Sequence, residues 1–210
     1  LTAHGEFQYL RNTLGADEAE EMQLGSPYDY ESAALLYIAN DIPEPSQRHA
    51  YEKTVQAGLI ALCRATRGRA LVLFTSYAAL KKTSQAITGP LAREDIYVYE
   101  QGDGASPNAL LESFKATDRA VLLGTKSFWE GVDVPGDSLS VVVITKLPFD
   151  VPTDPLIAAR SEMYEDSFNQ YYLPEAILKF RQGFGRLIRT ASDRGIVAIL
   201  DRRVLTKQYG

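Results

Sequence analysis

Cysteine occurs once in the 210 residues, as Cys63, and histidine twice, as His4 and His49. One cysteine excludes a disulfide framework and any four-cysteine metal or iron–sulfur site built from this chain alone. The histidines are far apart with no cysteine beside them, so zinc has no ligand set. No apolar run approaches the roughly 20 residues of a membrane span, and a soluble chain is expected. Positive charge is not in excess either: 22 Lys+Arg stand against 27 Asp+Glu, a formal charge of −5. Repeats, low-complexity tracts and linkers are missing. With 45% hydrophobic and 23% charged residues the composition is that of a folded domain, not of a disordered chain. There is no initiating Met and no signal-peptide pattern, so the expectation is a chain cut from something longer.

What charge there is has an uneven distribution. Residues 1–63 carry 3 basic and 10 acidic side chains, residues 64–175 carry 11 and 15, and residues 176–210 carry 8 and 2. Basic groups gathered in one short stretch of an acidic chain point to a local anion site, with a solvated basic face as the alternative.

From residue 70 onward, strands alternate with helices. Ala70–Phe74, Ile96–Tyr99, Ala120–Leu123, Leu139–Thr145 and Gly195–Leu200 are apolar or β-branched runs. Between them Tyr77–Ile87 (capped by Ser76 and stopped by Gly89-Pro90), Pro107–Ala116, Asp154–Phe168 and Pro174–Arg189 read as helices, with a short one from Arg202. That alternation predicts a mostly parallel sheet covered on both faces, which places ligands at the carboxyl ends of the strands. Residues 1–69 are less regular, with helices over Phe7–Leu14 and Arg48–Thr66 and a strand at Leu35–Ile38; they are expected to pack onto the core of a single domain. Cys63 falls on an apolar stripe with Tyr51, Val55, Leu59 and Leu62, which makes it a core residue.

Two stretches carry chemistry. At about 100° per residue, Gln182, Arg186 and Arg189 would share one face of a helix, with Ile177, Phe180, Phe184 and Leu187 opposite. Two guanidiniums side by side suit phosphate, being planar and always charged. Gly183 and Gly185 each cost roughly 1 kcal/mol inside a helix, and close approach of a backbone or a phosphate would account for them. The second stretch, Gly124–Gly136, is a loop rich in glycine, hydroxyls and charge directly after a buried strand. Its Gly124-Thr-Lys-Ser127 lacks the Gly-x4-Gly-Lys-Ser/Thr spacing of a nucleotide phosphate loop, and no other segment supplies it.

In both stretches the chain resembles the second, C-terminal motor domain of superfamily 2 DNA helicases of the DinG/XPD type, and the bacterial DinG-like branch above all. Gln182-Gly-Phe-Gly-Arg-Leu-Ile-Arg189 is similar to motif VI (Q-x-x-G-R-x-x-R), and Gly124–Gly136 to motif V, with its E-G-x-D core at Glu130, Gly131 and Asp133. Leu73-Phe-Thr-Ser-Tyr77 is similar to motif IV. Gly25–Tyr30, Lys146-Leu-Pro-Phe149 and Ser192–Gly195 resemble flanking segments.

The resemblance implies a RecA-like three-layer αβα sandwich with a mostly parallel sheet. It implies ATP and Mg²⁺ held mainly by a first motor domain, where many relatives also carry an iron–sulfur cluster. Arg186 and Arg189 would reach the γ-phosphate, and Gln182 the nucleotide or its attacking water. Glu130, Gly131, Asp133 and Gly185 would lie near the nucleotide. Thr75, Ser76, Thr125 and, more weakly, Lys126 would contact phosphates of single-stranded DNA. Motion 5′ to 3′, a role in DNA repair, and a bacterial, cytoplasmic, nucleoid-associated setting without a membrane complete what it implies. A nucleic-acid-binding module without motor function and a nucleotide-binding regulatory domain stay open as alternatives. Asp201 and Arg203 are expected to pair, either behind motif VI or as a surface ion pair.

Overall fold

A computed structural model describes residues 6–102, 104–129, 138–188, 190 and 192–209. Its centre is made by the runs with the least polar content. Strands β2 (Ala70–Leu73), β4 (Ala120–Gly124) and β5 (Val141–Ile144) are buried at every position, because helices cover both of their faces. Around them β1 (Ala34–Ile38), β3 (Tyr97–Glu100) and β6 (Gly195–Ile199) complete a six-stranded sheet in the order β1-β6-β5-β2-β4-β3. Every pairing in it is parallel. Residues 34–38 are therefore part of the sheet itself, seated beside β6.

One face is covered by α3 (Arg48–Thr66) and α4 (Tyr77–Ala92), after α1 (Gln8–Leu14) and the short α2 (Tyr30–Ala33). On α3 the buried positions are Tyr51, Val55, Leu59 and Cys63, the stripe that the spacing predicts. Burial pushes the Cys63 thiol up to about 12, as suits an inert core residue. The other face is covered by α5 (Pro107–Lys115), α6 (Lys126–Trp129) and α8 (Leu173–Phe184), which bury Leu110, Phe114, Phe128 and Trp129 against Leu71, Leu122 and Val142. Helix α7 (Pro155–Ser161), a π-helical turn at Phe168–Tyr172 and α9 (Arg203–Thr206) complete the described elements.

Three helix boundaries differ from the sequence reading. Ser76 caps α4 by accepting from Ala79 N–H at 3.3 Å, but the helix runs through Gly89-Pro90 to Ala92. Pro90 sits in the last turn, where it removes a single backbone bond, and the burial of Ile87 and Leu91 outweighs that loss. The helix expected over 154–168 stops at Ser161 and resumes as the π turn. The helix expected to reach Arg189 stops at Phe184. That last difference decides the geometry of the site.

Candidate nucleotide and strand interface

With all six strands parallel, their carboxyl ends share one rim, and the loops that leave it carry the polar residues singled out above. Thr75 and Ser76 follow β2, Thr125 follows β4, and Thr145-Lys146-Leu147 follow β5. Thr75 is half-buried and Ser76 exposed, its hydroxyl serving as the α4 cap. Thr125 is half-buried, and both its N–H and its hydroxyl donate to Gln101 Oε1 at 2.8 Å. Gln101 also donates from Nε2 to Ser127 Oγ at 3.0 Å. Sequence reasoning passed over Gln101; its position immediately after β3, on the same rim, was the available signal.

The expected three-residue face on α8 is not formed. Gly185 closes the helix, and the next two N–H groups turn back three residues: Arg186 to Gly183 O and Leu187 to Phe184 O, both at 3.3 Å. This tighter turn takes Arg186 out of helical phase with Gln182. Gln182 is exposed on α8, whereas Arg186 is only 9% exposed and donates from Nη2 to the Trp129 carbonyl at 2.7 Å. Arg189, Glu130, Gly131 and Asp133 lie outside the described residues, as does the side chain of Lys126.

Trp129 explains one of the two glycines. A Cβ at Gly183 would lie 2.9 Å from the indole Cζ3 and 3.1 Å from Leu73 Cδ1, so a side chain, not a backbone or a phosphate, requires this glycine. The indole N–H in turn donates to the Phe74 carbonyl at 3.1 Å. One buried ring thus touches the end of α8 on one side and the residue before Thr75-Ser76 on the other. Gly185 has an ordinary φ of −65°, with Arg181 O 3.3 Å from where its Cβ would be; it closes a helix end.

The loop after β5 is tied from beneath. Asp201, fully buried, accepts from Leu147 N–H at 3.0 Å and from Arg203 Nη2 at 2.6 Å. The pairing expected from the sequence is therefore internal and not a surface ion pair. Thr145 Oγ1 donates to Leu73 O at 2.9 Å, and the Tyr51 hydroxyl donates to Thr145 O. Lys146 itself is half-buried, and burial first, then the nearby Arg203 and Arg48, hold its ammonium below the usual lysine range. The basic stretch 176–210 spends part of its charge internally: Lys179 pairs with Asp150 at 2.6 Å, and Arg203 with Asp201.

Among the described residues no group of three or more His, Cys, Asp or Glu side chains could hold a metal ion. Nor, among them, is any helix long and apolar enough to cross a membrane.

A parallel six-stranded sheet between two helical layers, with its polar loops on the carboxyl rim, defines a RecA-like α/β domain. A solved XPD helicase chain shares this fold, with a TM-score of 0.65 over 82% of this chain and 32% of that one at 22% identity. So does Saccharomyces cerevisiae Dbp5, solved with RNA and ADP BeF3, with a TM-score of 0.56 over all of this chain and 47% of that one at 18% identity. The helicase C-terminal domain family matches residues 59–210, and the chain belongs to that family. Over its full length it is 39% identical to the 3′-5′ exonuclease DinG of Bacillus subtilis, of which it covers 24%. It is 37% identical to the ATP-dependent DNA helicase YoaA of Escherichia coli, covering 33%, and 36% identical to the ATP-dependent helicase DinG of Mycobacterium tuberculosis, covering 32%. The chain spans a quarter to a third of the length of these relatives.

Proposed function

We propose that the 210 residues form the second motor domain of an ATP-dependent, DinG-like DNA helicase, closing on ATP held by a first motor domain and gripping single-stranded DNA. Arg186 and Arg189 act as arginine fingers on the γ-phosphate, with Gln182 beside the nucleotide or its attacking water. Thr75, Ser76 and Lys126, and Thr125 once its hydroxyl turns from Gln101 Oε1, hold phosphates of the strand, positioning it without reading its sequence. Glu130, Gly131, Asp133 and Gly185 line the nucleotide side. When bound, ATP with Mg²⁺ supplies the phosphoryl group whose hydrolysis drives opening and closure; this chain's part is to place cations and hydroxyls at the two ends of that cycle. The setting is bacterial and cytoplasmic, and the direction of stepping is 5′ to 3′.

The observation that carries this reading is Trp129. Its carbonyl receives Arg186 at 2.7 Å, and its indole N–H reaches the Phe74 carbonyl at 3.1 Å, next to Thr75-Ser76. A cation suited to phosphate and a loop suited to a nucleic-acid backbone are joined through one buried residue, by its carbonyl on one side and its indole on the other, which supports a domain that relates nucleotide state to strand grip.

Two measurements test it. The chain alone should release no phosphate from ATP, because its sequence contains no phosphate-loop lysine and its described residues offer no metal-binding cluster. Turnover that persists through purification overturns the division of labour. In the full-length protein, Thr125→Ala should weaken single-strand binding about fivefold and reduce stimulation by DNA while leaving basal hydrolysis intact, the scale of one lost hydrogen bond. Unchanged strand affinity removes Thr125 from the grip.

A further inference from the structure

A cavity of about 760 Å³ opens between the loops after β2 and β5, the π turn and the carboxyl end of the chain. Its size is within the roughly 300–1,000 Å³ typical of small-molecule sites. Its lining is chemically mixed. An aromatic cluster belongs to it: Phe149 stacks on Phe168 with centroids 5.8 Å apart and planes 23° apart, and Tyr209 closes on Phe149 at 5.4 Å. Phe168 is 44% exposed, an apolar ring left open to whatever enters. Polar residues line it too, among them Thr75, Ser76 and Lys146, with the ion-paired carboxylates of Glu52 and Asp150.

The charges around this cavity leave one cation over. Glu52 takes Arg48 at 3.0 Å and also Lys82; Asp150 takes Lys179 at 2.6 Å; Asp201 takes Arg203 at 2.6 Å. Among the described residues the Lys146 side chain makes no hydrogen bond and no salt bridge, although it lies half-buried on the wall and feels the Asp201 carboxylate at longer range. Arg203, already paired with Asp201, stacks 5.9 Å over the Phe149 ring. A half-buried ammonium that makes no salt bridge and feels the Asp201 carboxylate only at longer range lines the same cavity as two hydroxyl-bearing residues and the aromatic rings, which matches an anion attached to a flat, stackable ring. In water such a pairing is supplied by a nucleotide.

We infer that this cavity takes one nucleotide unit of the bound single strand, its phosphate on Lys146 and the Thr75-Ser76 loop and its base against Phe149 and Phe168. The inference rests on the strand-binding reading above and adds a base-holding subsite to it. Stacking tolerates every base, since each has a π face, so the subsite contributes grip without sequence preference. A strand lodged here advances only by withdrawing one base from the wall.

The test uses the full-length protein and a thymidine dodecamer carrying a single 2-aminopurine. Its fluorescence should fall on binding as the base stacks, a signal that phosphate contacts alone do not produce. Phe168→Ala should abolish that quenching and weaken binding roughly tenfold, the scale of one base–aromatic contact. Lys146→Gln should keep the quenching but lower the salt dependence of log K by about 0.7, as one released counterion requires. Phe168→Leu, which keeps apolar bulk without a stacking ring, guards against a folding defect: it should restore thermal stability without restoring quenching. If both Phe168→Ala and Lys146→Gln bind and quench like the parent while Thr125→Ala binds weakly, the subsite is wrong and the strand reading stands. If thymidine monophosphate binds as tightly as the dodecamer and is lost with Lys146→Gln, the cavity serves free nucleotide and the inference is overturned. If the parent protein binds no strand, the strand-binding reading fails and takes the subsite with it.

Discussion

Arg186→Ala in the full-length protein is expected to lower ATP turnover about 10³-fold, the scale of an arginine that meets charge developing on a transferred phosphoryl group. Affinity for single-stranded DNA without nucleotide should stay within about twofold. The structure adds a second job to this side chain, since its Nη2 holds the Trp129 carbonyl at 2.7 Å in a nearly closed site. Truncation therefore also leaves a buried carbonyl without its donor, at a cost of about 1–3 kcal/mol. Arg186→Lys separates the two jobs. Lysine keeps a charge and can donate to Trp129 O, but it is a point charge without the planar fork that spans two phosphate oxygens. A transition-state role predicts that Arg186→Lys recovers thermal stability yet stays at least 10²-fold slow. If lysine restores turnover, Arg186 is an anchor for Trp129 and not a finger. Arg189→Ala should match Arg186→Ala in turnover, measured alongside it under saturating ATP.

Asp201→Ala should produce the largest loss of stability available from one polar side chain in this domain. The carboxylate is fully buried and accepts from Leu147 N–H, Arg203 N–H, Arg203 Nε and Arg203 Nη2. Removing it strands two backbone donors and one guanidinium, and breaking a buried pair in this one-sided way costs about 3–5 kcal/mol. Arg203 keeps 21% of its side-chain surface, so solvent recovers part of its charge and the lower end of that range applies. For a chain of this size the loss corresponds to a fall of roughly 6–12 °C in Tm. Asp201→Asn, which can still accept from Leu147 N–H, should lose less than half as much. A thermal melt of the two variants decides the matter; a shift below about 2 °C for the alanine variant would mean that water reaches Arg203 and Leu147 freely.

How much of this was legible beforehand depends on the range of the interaction concerned. The strands β2, β4 and β5 announce themselves as unbroken apolar runs, because a strand covered on both faces has no polar position to reveal a period. Helix α3 was legible to both of its ends, since its buried stripe from Tyr51 to Cys63 recurs at helical spacing over more than three turns. Local grammar failed where packing competes with it. Gly89-Pro90 reads as a stop, yet Leu91 is fully buried and the helix continues through it. Across Gly183 and Gly185 the opposite error arises: extrapolated periodicity placed Gln182 and Arg186 together, whereas the turn after Phe184 separates them.

By itself, then, the sequence determined the strand segments and most of the helices, that the sheet is mostly parallel, and which residue types gather at the carboxyl rim. Those properties follow from composition and period over a dozen residues or fewer. Only the tertiary structure decided that Arg186 is held by a carbonyl 57 positions away, that Asp201 ties down a loop 54 positions earlier, and that Lys146 lines one cavity with Phe149 and Phe168. Such contacts depend on the order of strands in the sheet and on where a helix ends. Both are settled by how side chains distant in sequence fill one core, and no window of neighbouring residues contains that information.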